Sequence, residues 1–114
     1  MLKHIAIALV AFLLSAAATA QQQGVAKVSA LSSGKLFLNG KPTDLRSLDT
    51  EFQRLKATGG AVWYYRENPQ SEPSPVAMEA IDLVVRHQLP VSMSSKPDFS
   101  DHVDQNGRSV PRQP

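Results

Sequence analysis

His102 stands among Asp98, Asp101 and Asp104. Imidazole and carboxylates supply the lone pairs that hard or borderline metal ions take. Their spacing matches no known ligand pattern, so the segment reads as solvated chain that has not met the entropic cost of holding ligands in place, and no cofactor is expected. His87 ends a helical stretch, where an imidazole complements the helix dipole. The serines come with neither a nucleophile elbow nor a helical pair of metal-binding histidines. Glu79 and Asp82, three apart on a wet helix face, read as solvated charge. The expectation is a chain without catalysis; a small hydrolase or metal binder is the alternative, and it requires Asp98 to Asp104 to be folded.

Trp63, Tyr64 and Tyr65 form the most suggestive group. Successive side chains of a strand point to opposite faces, so Trp63 with Tyr65, or Val62 with Tyr64, must turn away from any covering helices. Amphipathic rings on an open sheet face mark docking surfaces, whereas rings that fill a small core or pair across strands mark only packing. The expectation adopted is that Trp63 and Tyr65 face outward and bind a partner, together with Val91 and Met93 on the edge of the last strand, where a further strand could add. Pro90 and Pro97 flank that strand and limit such pairing.

Composition narrows the classes. At 114 residues the chain holds one domain. Without Lys3, which sits in the leader described next, the basic side chains fall from 12 to 11 against 10 acidic ones. So even a balance gives no long-range field for gripping nucleic acid or an anionic membrane. The absence of cysteine removes disulfides, thiolate metal sites, cysteine nucleophiles and a lipid-attachment cysteine.

Residues 1–20 have a basic start at Lys3, an apolar run from Ile5 to Leu14 and the small-residue ending Ala18-Thr19-Ala20. That order is the signature of a secretory signal peptide cleaved before Gln21, which implies export to the periplasm. A membrane anchor needs about 20 predominantly apolar residues; Ile5 to Ala20 falls short, so contact with the membrane is expected only if the leader is retained. Residues 21–24 read as a flexible linker.

The elements that must position the aromatic group lie between residues 25 and 96. Val25 to Leu31 alternates as a half-buried strand, Ser32 to Gly34 turns, and Lys35 to Asn39 returns with Leu36 and Leu38 on one face. Asn39-Gly40 is the strongest turn signal and folds the chain back through Lys41 and Pro42. Asp44 caps a helix whose apolar stripe is Leu45, Leu48, Phe52 and Leu55, stopped by Gly59-Gly60. Ala61 to Arg66 is the aromatic strand. Ser74-Pro75 opens a second helix with Ala77, Ala80, Ile81 and Val84 inward, flanked by Val76, Leu83 and Val85, and Pro90 ends it. Val91 to Ser94 is the final strand, and residues 97–114 read as a polar, disordered tail. The fold class is α+β: a two-layer β-β-α-β-α-β domain with two helices on one face of a mixed sheet.

This order, with Gly34-Lys35-Leu36-Phe37-Leu38-Asn39-Gly40-Lys41-Pro42, then Asp44-Leu45 and Leu48, Val62 and Tyr64, Ile81-Asp82-Leu83 and Val91-Ser92-Met93, resembles the periplasmic domain of the ExbD/TolR family of biopolymer-transport proteins. The likeness covers about Val25 to Lys96 and is structural in kind. It implies a module that self-associates, or that contacts the cell wall or protein partners. Family members hang from a membrane helix whose aspartate takes part in proton-driven work, but residues 1–20 contain no Asp or Glu. His87-Gln88-Leu89-Pro90 stands where the family has a glycine, and Asn68 near where it has an aspartate. The resemblance therefore implies a divergent, exported interaction module; the alternative is a signal-anchored accessory of an energised transport complex.

Overall fold

A computed structural model describes residues 24–113. The leader, its cleavage point and residues 21–23 of the linker lie outside the described residues. Among the described residues nine elements follow one another: β1 Val25–Ala30, β2 Leu36–Leu38, β3 Lys41–Thr43, α1 Leu45–Thr58, β4 Ala61–Arg66, α2 Pro75–Arg86, β5 Val91–Ser94, β6 Asp101–Val103 and β7 Ser109–Pro111. The α+β class stands, with a five-stranded mixed sheet in the order β3-β2-β1-β4-β5 and a separate two-stranded sheet of β6 and β7.

Strand pairing follows the turn chemistry. β1 and β2 pair antiparallel with Val28 opposite Leu38 and Ala30 opposite Leu36. Asn39 and Gly40 both take positive φ, 52° and 82°, the geometry of a tight hairpin turn whose twist matches its strands. That turn does more than reverse the chain, because Lys41–Thr43 pairs with β2 as a strand of its own. Pro42 offers no N–H, which is tolerable because β3 is an edge.

β1, β4 and β5 run parallel. Each crossover steps the same way across the sheet, and right-handed crossovers that do so leave their helices on the same face. The core between the layers is Val28, Leu36, Leu48, Phe52, Leu55, Val62, Tyr64 and Val84 with the small residues Ala26, Ala30, Ala77 and Ala80. In α1 the Asp44 side chain accepts from Ser47 N at 2.8 Å, and Gly59 closes the other end in the left-handed region. In α2 Ser74 Oγ accepts from Ala77 N at 3.1 Å, and Pro75 occupies the first turn.

Gly60 is needed for space. A Cβ there would lie 2.4 Å from Leu55 Cδ2 and 2.6 Å from the Gly24 carbonyl oxygen. The second contact is backbone at the root of β1, where Ala61 N donates to the same oxygen at 3.0 Å. Gly60→Ala is therefore expected to cost about 1–3 kcal/mol, the range for overpacking, read as a lower urea midpoint with an unchanged slope.

Two expectations need correction. Leu83 completes the buried row of α2 with Ala77, Ala80 and Val84, whereas Ile81 packs against the core only partly buried and Val85 is 66% exposed. The inner face is rotated toward α1, whose packing draws Leu83 inward. Residues 97–114 were expected to be a disordered tail, but Asp101–Val103 and Ser109–Pro111 within them pair as the β6–β7 hairpin, with His102 opposite Val110 and Val103 opposite Ser109. The hairpin is held by side chain to backbone bonding rather than by apolar periodicity. Asp104 Oδ1 accepts from Asn106 N and Arg108 N, both at 2.9 Å, across a turn that uses Gly107 at φ 76°.

Candidate interaction surface

Register decides which way each aromatic ring points. Val62 and Tyr64, 0% and 2% exposed, lie under the helices, and burial pushes the Tyr64 phenol up. Trp63 and Tyr65 therefore take the opposite face, as expected from the strand alternation. Their neighbours in register are Lys27 and Ser29 on β1 and Ser92 and Ser94 on β5.

That face is not free, which corrects the expectation of an open aromatic docking surface. The C-terminal arm lies over its β4–β5 half. The Arg112 guanidinium stacks on the Trp63 ring at 3.8 Å, with Lys27 Nζ 5.5 Å from the same ring. Arg112 Nε donates to the Phe99 carbonyl at 3.0 Å, Nη1 to Ser92 Oγ at 3.0 Å and Nη2 to Ser94 Oγ at 2.8 Å. Phe99, buried, meets Tyr65 edge to face at 6.5 Å.

Asp101 anchors the arm. It is 1% exposed, and its carboxylate accepts from Ser95 N, Ser95 Oγ, Lys96 N and Ser109 Oγ. Burial pushes this carboxyl up, but the Ser109 and Ser95 hydroxyls and the two amides outweigh it and bring the pKa down to about 2. The segment from Asp98 to Asp104 is thus folded, as a hydrolase or metal binder would require. Its carboxylates are nevertheless engaged by their own chain: Asp98 accepts from Ser100 N, and Asp104 closes the β6–β7 turn. Among the described residues no group of three or more His, Asp or Glu side chains could hold a metal ion.

Val91 and Met93 lie on the other face from Trp63 and Tyr65, paired in register with Val62 and Tyr64. The four residues expected to bind a partner therefore form two surfaces. β5 ends the sheet. Val62 N donates to the Pro90 carbonyl, and in a parallel strand alternate residues bond to the same side. The amides of Ser92 and Ser94 therefore point into the sheet, while those of Val91 and Met93 point away from it.

The flank of α2 beside this edge is apolar too. Met78, Ile81 and Val85 follow at spacings of three and four, so they form one stripe, turned away from α1. Met78, Ile81 and Met93 line an open groove of about 300 Å³ floored by Tyr64 and Ala77. α2 runs antiparallel to β4 and β5, which brings Val85 toward the start of β5 and Val91. Of the five large apolar side chains that are exposed among the described residues, four lie on this one side: Met78 60%, Val85 66%, Val91 46% and Met93 42%.

Val91 and Met93 were singled out from the sequence, whereas Met78 and Val85, which share their exposed side, were not. The signal was present, since α2 carries more apolar positions than one buried stripe requires. His87, expected only to complement the helix dipole, bridges the helices: Nε2 lies 2.6 Å from Asp49 Oδ1, and the ring meets Phe52 edge to face at 6.2 Å. A larger open cavity of about 510 Å³ lies at the far edge of the domain between Leu36, Phe37, Pro42, Leu45 and Val76. Among the described residues no helix is long and apolar enough to cross a membrane. No family model matches the chain, and no curated protein matches it.

Proposed function

We propose that this chain is an exported, periplasmic, non-catalytic interaction module similar to the soluble domain of ExbD/TolR proteins, and that it docks a protein partner, a second copy included, along the β5 edge and the α2 flank. The observation that carries this reading is the concentration of four exposed apolar side chains beside a strand edge that pairs with no further strand among the described residues. Lone apolar residues on a surface are ordinary, but a contiguous group beside open backbone marks a contact. Strand addition would take up the outward amides of Val91 and Met93, while Met78 and Val85 would cover the incoming side chains. Asp82 on α2 is engaged by Arg86 at 2.6 Å, and Arg66, which lines the groove, donates to the Pro69 and Ser71 carbonyls, which supports a binding role over a chemical one.

Photocrosslinking in cells tests it. A crosslinking residue at Met93 or Val85 is expected to yield a discrete protein adduct, and one at Gln53, on the solvent side of α1, is not. Met93→Lys with Val85→Lys is expected to abolish the adduct while changing stability by no more than about 0.5 kcal/mol per site, as for other surface substitutions. Equal adducts from all three positions would sink the reading. Recovery of the protein in the cytoplasm would remove its exported part.

A further inference from the structure

The second face of the sheet holds a seat built for a planar cation. Trp63 supplies an aromatic floor, Ser92 and Ser94 supply hydroxyl acceptors, and the occupant is Arg112, two residues from the end of the chain. Each of its three guanidinium nitrogens has an acceptor, the third being the Phe99 carbonyl. That combination of stacking and fork-like donation suits a guanidinium and not an ammonium.

The arm that delivers Arg112 is attached as a separate piece. β6 and β7 form their own two-stranded sheet and add no ladder to the main one. The anchoring bonds of Asp101 run to Ser95, Lys96 and Ser109, so they fold the arm on itself rather than tie it to β1 or β4. Polar ties to the main sheet are the two serine contacts of Arg112 and the bond from Ser94 Oγ to the Asp101 carbonyl. Phe99 takes φ 59° to reach its place, a region that is strained for a bulky side chain.

We propose that the C-terminal arm is a self-bound ligand: it can lift from the sheet, and the seat on Trp63 then accepts the arginine side chain of an extended segment from another protein. Arg112 shows which chemistry fits, and the arm shows the backbone form in which it is presented. A partner must therefore supply an arginine on an extended stretch and compete with a tethered copy. The tether holds affinity down until the arm is displaced.

Trp63 is the only tryptophan, so its fluorescence reports the seat directly. In Arg112→Ala its emission is expected to shift to the red, and N-ethylguanidinium is expected to reverse the shift saturably, with ethylammonium at least about tenfold weaker. A peptide of the sequence Ser-Val-Pro-Arg-Gln-Pro is expected to bind Arg112→Ala at least about tenfold more tightly than its alanine counterpart, and the unaltered protein about tenfold less tightly than it binds the variant. A single thiol in a protein that retains Arg112 guards against a variant that fails to fold. The chain has no cysteine, so the thiol of Ser94→Cys, at a position buried beneath the arm, is expected to react with a thiol reagent faster than the domain unfolds. If it reacts only when the whole domain unfolds, the arm does not lift and the proposal falls. It falls equally if neither the guanidinium nor the arginine peptide changes the emission of Arg112→Ala.

Discussion

Phe52→Ala is expected to lower the unfolding free energy by about 3–5 kcal/mol, the cost of deleting a buried aromatic ring and leaving a cavity. Phe52 is 0% exposed, and His87 closes over it edge to face. Leu48 and Leu55, one turn to either side on α1, are equally inaccessible, so no solvent-facing wall can collapse into the gap. Total stabilities run to about 5–15 kcal/mol, and a domain this small sits toward the lower end. The variant should therefore populate unfolded chain at 37 °C, and urea unfolding followed by far-UV circular dichroism should give a much lower midpoint. Phe52→Leu, which retains most of the volume, should lose less than half as much. Equal losses in the two variants would show that the ring's contact with His87, and not its bulk, holds the helices together.

Asp101→Asn should be the second most damaging change, and its effect should depend on pH. The carboxylate accepts from two hydroxyls and two amides, and an amide side chain would turn a donor toward groups that are already donors. The pKa of about 2 in the folded chain lies below the ordinary 3.8, so ionised Asp101 stabilises the native arm. Because the folded value is the lower one, that contribution is complete above about pH 4 and disappears as pH falls toward 2. A depression of this size corresponds to about 2 kcal/mol. The unaltered protein should lose that increment between pH 4 and pH 2, and Asp101→Asn should lack it at neutral pH and show a flatter profile over the same interval. Trp63 emission should follow the arm, and circular dichroism the whole domain. Parallel pH profiles for the two proteins would show that the buried carboxylate does not anchor the hairpin.

The helices and the core strands were legible because each obeys a local rule. Asp44 and Ser74 announce helix starts through hydrogen bonds that reach only three residues, and Asn39-Gly40 announces a hairpin because both residues tolerate positive φ. β3 escaped notice because three residues with a proline give too short a pattern to separate from a turn. Ile81, expected in the buried row of α2, packs at its margin, since periodicity fixes a stripe's width but not the direction from which a second helix will press on it.

The C-terminal arm was the largest miss, and the cause is instructive. Its stability comes from Asp101, Asp104, Ser95, Ser109 and Arg112, polar residues that in an isolated segment mean solvation. They become structural only when Phe99 and Trp63 provide a surface from which water is excluded. Local spacing determined the alternation that puts Val62 and Tyr64 on one side of β4 and Trp63 and Tyr65 on the other. Only the packed chain decided that the first side meets helices and the second meets Arg112, because the face a strand buries depends on what the rest of the polypeptide can lay against it. The same holds for the apolar flank of Met78, Val85, Val91 and Met93: each residue is ordinary in its own element, and the crossover from β4 to β5 makes them neighbours.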